Sequence, residues 1–128
     1  MRILLVEDHD DTVRVLTRIL ARTGILDVAR TLAAARVLCG QHTYDVLVCD
    51  IALPDGSGWD LMPEFARAGG GCAWTRGIAL TGYGTRDDVE RSRLAGFDLH
   101  LTKPVTAEKL LEAIRTVRAA QAAQPPSA

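Results

Sequence analysis

The sequence has little excess charge, few cysteines and no long apolar run, and each shortage excludes a class of function. Its 15 basic and 16 acidic residues give a formal net charge of -1. Proteins that bind nucleic acid or anionic membranes usually carry a basic excess, so neither partner is expected. No apolar run approaches the roughly 20 residues of a membrane-spanning helix, and no signal peptide is recognisable, so membrane insertion is not expected.

The three cysteines are odd in number and show no C-x-x-C spacing. This pattern does not indicate a disulfide framework, and a reducing cytoplasm is the expected location. A hydrophobic content of 48% in 128 residues suits one packed core. We predict one domain over residues 1–119. Residues 120–128, rich in Ala, Gln and Pro, are predicted to be a flexible tail or a cut linker.

Short apolar runs alternate with helical patterns along the chain. The runs predict strands near residues 3–6, 26–29, 46–49, 77–80 and 99–102. Five strands alternating with five helices predict an α/β fold with right-handed crossovers. At this length the expected architecture is a doubly wound five-stranded parallel sheet, flavodoxin-like, with strand order 2-1-3-4-5.

The third helix contains Pro63, which is tolerated only in a first helical turn. We therefore predict that this helix begins at or after Gly58, near Asp60, or is kinked before Pro63. Residues 69–71, three consecutive glycines, are predicted to form a loop.

Polar residues follow the predicted strands at their carboxyl ends. Glu7 and Asp8 follow the first strand, Asp50 ends the third, Thr81 follows the fourth, and Lys103 follows the fifth. Because the first and third strands flank the switch point of such a sheet, three carboxylates should converge there. The Thr81 hydroxyl and the Lys103 ammonium group should approach these carboxylates from the side of the fourth and fifth strands.

Crowded carboxylates repel one another unless a cation lies among them, and Mg²⁺ prefers oxygen ligands. The set suits phosphoryl transfer, with Asp50 as nucleophile, Lys103 neutralising the phosphoryl oxygens and Thr81 donating a hydrogen bond. Each residue also has a simpler possible role. Glu7 and Asp8 could cap the first helix. Asp50 could be a loop acid, Thr81 a turn residue and Lys103 an ordinary solvated lysine. Convergence of four positions on one sheet edge favours the phosphoryl-transfer interpretation.

These residues stand in motifs that resemble the receiver domain of two-component response regulators. The motifs are Leu4-Leu5-Val6-Glu7-Asp8, Val48-Cys49-Asp50-Ile51-Ala52-Leu53-Pro54, Ala79-Leu80-Thr81-Gly82 and Leu101-Thr102-Lys103-Pro104. The resemblance covers about residues 1–119. Residues 80–84 together with His100 are most similar to receivers fused to hybrid sensor histidine kinases.

The resemblance implies that Asp50 accepts a phosphoryl group from a histidine kinase or a histidine phosphotransfer protein. Mg²⁺ or Mn²⁺ would be held by Glu7 or Asp8, by Asp50 and by the backbone carbonyl of Ala52. The Lys103–Pro104 peptide bond is expected to be cis. The domain would assist its own phosphorylation and dephosphorylation without being an enzyme, either alone or within a larger histidine kinase.

The resemblance also implies a switch. Thr81 would move toward the phosphoryl group, and the side chain at position 100 would turn inward behind it. The family often has Tyr or Phe where this chain has His100, so an ordinary half-exposed histidine stays an alternative. The surface of the fourth helix, the fifth strand and the fifth helix would change for a downstream target. Ala52 and Tyr83 flank the approach of water, which predicts slow self-dephosphorylation.

Two other functions use similar residues. A phosphatase of the haloacid-dehalogenase type also has an aspartate nucleophile, but it places a general-acid Asp two residues later, where this chain has Ala52. A flavodoxin-like nucleotide or flavin module would need a phosphate-binding loop after the first strand. That loop is acidic and contains no glycine here, so both alternatives are disfavoured.

Overall fold

The computed structural model describes residues 1–68, 75–82 and 84–123, in which strands and helices alternate. The strands are β1 (Arg2–Val6), β2 (Ile25–Ala29), β3 (Val46–Asp50), β4 (Ala52–Leu53), β5 (Gly56–Ser57), β6 (Arg76–Thr81) and β7 (Leu99–Thr102). The helices are α1 (Asp10–Leu20), α2 (Leu32–Gln41), α3 (Leu61–Ala68), α4 (Arg86–Leu94) and α5 (Ala107–Ala123). Among these residues no helix has the length and apolar character of a membrane span.

Five strands form one parallel sheet in the order β2-β1-β3-β6-β7. This is the predicted 2-1-3-4-5 order, since β4 and β5 pair only with each other. The doubly wound fold predicted from the sequence is therefore confirmed. In this order β1 and β3 are neighbours, so their carboxyl ends open into the same crevice.

The uninterrupted apolar runs arise because helices cover both faces of the sheet. In β1, Leu4 and Val6 pack in the core on the side of α2 and α3, whereas Ile3 and Leu5 pack on the side of α1 and α5. All four side chains have no exposed surface. Burial of the strands on both faces fixes the sheet and, with it, the position of every side chain at the strand ends.

The hairpin of β4 and β5 lies directly after the sheet strand that ends on Asp50, and the sequence did not predict it. The Gly58 amide donates to the Ile51 carbonyl over 2.8 Å and closes this loop. A Cβ at position 58 would lie 2.3 Å from the Asp50 carbonyl oxygen, so the close approach requires glycine. The hairpin therefore presses its backbone against the residue that ends β3.

The third helix begins late, as the sequence predicted. A single 3-10 turn covers Gly58–Asp60, and α3 follows from Leu61. Pro63 is the third residue of α3, within the first turn, where its missing N–H leaves no hydrogen bond unmade.

The last helix is longer than predicted. Helix α5 continues to Ala123, so the expectation that structure fades after residue 119 was wrong for residues 120–123. Alanine and glutamine are good helix formers, and Gln121 Nε2 donates to the Asp45 carbonyl over 2.9 Å. Residues 124–128, and the predicted glycine loop at residues 69–71, lie outside the described residues, so the tail and that loop stay predictions.

Candidate metal and phosphoacceptor site

The carboxyl ends of the strands meet around an open cavity of about 320 Å³. Asp50 is the last residue of β3, Thr81 is the last residue of β6, and Lys103 directly follows β7. All three line the cavity, together with His9, Ile51, Ala52, Trp59, Gly82 and Asp88. The structure thus brings the predicted acceptor, hydroxyl and ammonium groups to one edge of the sheet.

Lys103 bridges two buried carboxylates. Its Nζ lies 2.8 Å from Glu7 Oε2 and 3.0 Å from Asp50 Oδ2. Glu7 has no exposed surface and Asp50 is 4% exposed. Because buried charges are costly without a partner, one ammonium group balances two acids here.

The pKa values of Glu7, Asp50 and Lys103 reflect the fact that the two carboxylates share one ammonium group. Burial raises the pKa of Asp50, and the nearby charge of Glu7 adds to this effect against the hydrogen bond from Lys103. Burial also acts to raise the pKa of Glu7, but hydrogen bonds from Lys103 and His9 outweigh it and lower that pKa. Burial acts to lower the pKa of Lys103, yet its two carboxylate partners raise it. Asp50 is consequently the acid whose charge is less well compensated.

The acidic cluster has the composition of a metal site. Glu7, Asp8, His9 and Asp50 each offer a ligand atom, and these atoms lie within 4.8 Å of one another. Asp8 Oδ1 is buried and accepts no hydrogen bond from the described residues, although His9 Nδ1 lies 3.3 Å from it. An oxygen-rich set with an unsatisfied buried carboxylate oxygen fits Mg²⁺ or Mn²⁺.

His9 is a member of this cluster that the sequence did not single out. Its Nδ1 lies 3.2 Å from Glu7 Oε1 and 3.3 Å from Asp8 Oδ1. The hydrogen bond to Glu7, with the charges of Asp8 and Glu7, raises the pKa of His9. The only sequence signal for His9 as a site residue is its position directly after Glu7 and Asp8. That position is equally typical of a residue that simply precedes α1.

Two predicted backbone features lie at the site. The Lys103–Pro104 peptide bond is cis, in agreement with the expectation. Ala52, whose carbonyl was predicted to bind metal, lines the cavity, and its amide donates to Asp50 Oδ1 over 3.3 Å. Tyr83, predicted to guard the approach of water with Ala52, lies outside the described residues.

His100 is half-buried and contacts the predicted hydroxyl donor. Its Nε2 lies 2.8 Å from Thr81 Oγ1, and its Nδ1 lies 3.2 Å from Ser92 Oγ. Trp59 Nε1 donates to the same Ser92 oxygen over 2.9 Å. The sequence gave no signal for the contacts of Trp59 and Ser92, because these contacts join elements far apart in the chain.

Comparison with known proteins identifies the family. The sequence-family model described as the response regulator receiver domain matches residues 3–115. The transcriptional regulatory protein CusR of Escherichia coli K12 is 32% identical over 118 residues, which are 91% of this chain and 51% of CusR. The virulence sensor protein BvgS of Bordetella pertussis is 32% identical over 133 residues, 99% of this chain and 11% of BvgS. The chain thus spans about half the length of the transcriptional regulator and a small part of the sensor.

Solved structures agree with this result. A CheY-like receiver domain protein from Methanospirillum hungatei has a TM-score of 0.85 and 27% identity, covering 96% of this chain and 97% of that one. A response regulator from Burkholderia pseudomallei, solved with a phosphorylated aspartic acid, a calcium ion and citrate, has a TM-score of 0.78 and 25% identity. The match covers 98% of this chain and 75% of the B. pseudomallei chain. The chain belongs to the receiver domain family of two-component response regulators.

Proposed function

We propose that this receiver domain accepts a phosphoryl group on Asp50 from a phosphohistidine donor. The observation that carries the proposal is the position of Asp50. Its buried carboxylate ends β3 in the cavity and has Lys103 Nζ 3.0 Å from Oδ2. The B. pseudomallei response regulator, which holds a phosphorylated aspartic acid, supports it by similarity.

In the proposed reaction an Asp50 carboxylate oxygen attacks the phosphorus atom. A P–O bond forms, the P–N bond of the donor breaks, and its electron pair stays on the imidazole nitrogen of the donor. Lys103 neutralises charge on the phosphoryl oxygens, and the Thr81 hydroxyl donates a hydrogen bond to one of them. These groups position and stabilise, and Asp50 alone forms a new covalent bond.

A divalent cation completes the proposed site. Glu7, Asp8 and Asp50 would hold Mg²⁺ or Mn²⁺ with the backbone carbonyl of Ala52. When bound, the cation supplies positive charge to the transferred group. The unsatisfied Asp8 oxygen and the calcium ion in the B. pseudomallei relative support this part of the proposal.

Metal dependence tests the proposal directly. Acetyl phosphate is expected to add one phosphate to the protein in the presence of Mg²⁺ or Mn²⁺, as measured by intact-mass spectrometry. With EDTA the added mass should be absent, because Lys103 alone must then balance Glu7, Asp50 and the incoming phosphate. Equal labelling with Mg²⁺ and with EDTA would contradict the metal site.

We further propose that phosphorylation changes the surface formed by α4, β7 and α5. The contact between Thr81 and His100 supports this role, since a movement of Thr81 toward the phosphoryl group alters the contact that holds the ring. The Mg²⁺ complex should then show amide shifts along α4 and β7 when acetyl phosphate is added. Shifts confined to residues next to Asp50 would rule out transmission to that surface.

The proposed partners are a histidine kinase or a histidine phosphotransfer protein and a downstream target that contacts the switched surface. Response regulators and a hybrid sensor are among the relatives, so the domain is proposed to work alone or as part of either kind of protein. The nearly neutral charge supports a role without direct nucleic-acid contact. A cytoplasmic location is supported by the free, buried thiol of Cys49.

A further inference from the structure

His9 stands at the start of α1 but does not cap it. It is the residue before Asp10, and its side chain accepts no hydrogen bond from the helix, as the side chains of capping residues such as Ser or Asp do. The ring instead lines the cavity that also contains Asp50 and Lys103. Something other than helix capping therefore accounts for the direction of the ring.

The ring faces the acidic pair through one nitrogen. His9 Nδ1 lies 3.2 Å from Glu7 Oε1 and 3.3 Å from Asp8 Oδ1. Glu7 is fully buried, and its other oxygen, Oε2, lies 2.8 Å from Lys103 Nζ. The two oxygens of Glu7 thus face different groups, the ammonium on one side and the imidazole on the other.

These distances match those between the ligands of one metal ion. Ligands held about 2 Å from a tetrahedral zinc ion lie about 3.3 Å from one another. His9 Nδ1 is that far from both carboxylate oxygens, and an Asp50 oxygen completes a set of four atoms within 4.8 Å of one another. The side chain of His9 is 68% exposed, so the ring can adjust its position without disturbing the core.

The nitrogen can serve either as a donor or as a ligand. A neutral imidazole carries its proton on one nitrogen and a lone pair on the other. In the metal-free protein Nδ1 can donate its proton to Glu7 Oε1, because a carboxylate oxygen only accepts. A divalent cation between the ring and the carboxylates takes the place of that proton. Nδ1 then gives its lone pair to the metal, and the ring keeps its proton on Nε2.

The preferred metal follows from this nitrogen. Mg²⁺ takes oxygen ligands and keeps several of its waters, so it gains little from an imidazole. Zn²⁺ binds imidazole nitrogen and carboxylate oxygen at nearly the same distance. A site that adds one nitrogen to its carboxylates therefore discriminates between the two ions more strongly than a site made of oxygens alone.

We propose that His9 is a metal ligand through Nδ1 and gives this site a nitrogen-dependent affinity for Zn²⁺ and related first-row cations. Zn²⁺ binds this nitrogen together with the three carboxylates, whereas Mg²⁺ uses the oxygen ligands alone. The two cations compete for the same carboxylates. The inference rests on the metal site of the proposed function, but metal binding is measured without a phosphoryl donor.

NMR of the imidazole nitrogens in ¹⁵N-labelled protein tests the bond to the metal directly. The spectra are recorded at about pH 8, because a metal ligand must be deprotonated. Zn²⁺ should shift the Nδ1 resonance of His9, which is assigned by its loss in His9→Gln, and leave the ring proton on Nε2. Mg²⁺ should not produce the shift of a metal-bound nitrogen. A His9 Nδ1 resonance that is unchanged at saturating Zn²⁺ would overturn the proposal.

Isothermal titration calorimetry of the wild type and His9→Gln gives the affinities. Glutamine keeps a polar group that can hydrogen-bond to Glu7 and Asp8 but removes the imidazole. The Zn²⁺ affinity should fall at least about tenfold, because even residues that only orient a ligand cost that much when they are changed. The Mg²⁺ affinity should change less than about twofold. Saturating Mg²⁺ should weaken Zn²⁺ binding to the wild type.

His42→Gln is the matched control. It removes an imidazole between α2 and β3, at the end of β3 opposite Asp50, and should bind both cations like the wild type. Equal losses of Zn²⁺ and Mg²⁺ affinity in His9→Gln would show that His9 acts only by hydrogen bonds to the carboxylates. That result would overturn the proposal, as would an unchanged Zn²⁺ affinity or Zn²⁺ binding that saturating Mg²⁺ does not weaken.

The same measurements separate this inference from the proposed function. A wild-type protein that binds Zn²⁺ through His9 but takes up no phosphate from acetyl phosphate and Mg²⁺ would refute the proposed function and leave the ligand role of His9 standing. A protein that binds neither cation would refute both the proposed metal site and this inference.

Discussion

Asp50→Asn is expected to abolish labelling by acetyl phosphate under conditions in which the wild-type protein takes up one phosphate. The amide has nearly the same shape as the carboxylate, and its oxygen can still accept from the Ala52 amide. It lacks the negative charge that makes a carboxylate oxygen a nucleophile. The loss of label should therefore be complete, and intact-mass spectrometry would measure it.

The fold of this variant should persist. Asp50 is buried and its pKa is raised, so a neutral side chain removes a charge that the folded protein holds poorly. Unfolding in urea should show metal-free Asp50→Asn at least as stable as the wild type, with less stabilisation by Mg²⁺. Asp11→Asn is the matched control, because the Asp11 side chain is 97% exposed and lies in α1. Phosphate on Asp50→Asn at the wild-type level would refute Asp50 as the acceptor.

Lys103→Met should cause the largest loss of stability in metal-free buffer. Lys103 lies between Glu7 and Asp50, both buried, and its removal leaves Asp50 without its ammonium partner and Glu7 with only the His9 ring beside it. Breaking a buried ion pair from one side costs about 3 kcal/mol. Part of that cost will be relieved by protonation of one acid, so the loss should grow as the pH rises from 5 to about 8.

Magnesium should restore much of this stability, because the cation is proposed to bind the folded state at the same carboxylates. Urea unfolding of both proteins, with and without MgCl₂, gives the comparison. Lys109→Met, an exposed lysine in the first turn of α5, is the control and should change little. If Lys103→Met and the wild type were equally stable without metal, the Lys103 ammonium group would not be what stabilises the buried carboxylates of Glu7 and Asp50.

Much of the fold could be predicted because burial leaves a direct trace in the sequence. Strands covered on both faces require uninterrupted apolar runs, and β1 and β3 have them. Glu7, Asp50 and Lys103 could be assigned to one site because each stands at the end of such a run. Strand ends on one edge are brought together by topology alone, before any side-chain contact is known.

The features that were missed leave no such trace. The hairpin of β4 and β5 has two residues in each strand, too few to show a period. The end of α5 was placed too early because alanine and glutamine are common both in helices and in linkers. Ser92 contacts Trp59, 33 positions away, only because of the way α4 is rotated against the sheet. A single hydroxyl in a charged helix carries no sequence signal for such a contact.

The contacts that α5 makes with Asp45 separate a point where another protein could be fused from the proposed phosphoacceptor site. Arg118 and Gln121 both bind Asp45, which precedes β3, while Asp50 stands at the other end of the same strand. Five residues of strand span roughly 17 Å, at about 3.3 Å per residue. A fluorescent protein or surface anchor joined after residue 123 would start from the far edge of the sheet. Immobilised this way, the domain would still present its cavity to a kinase in solution.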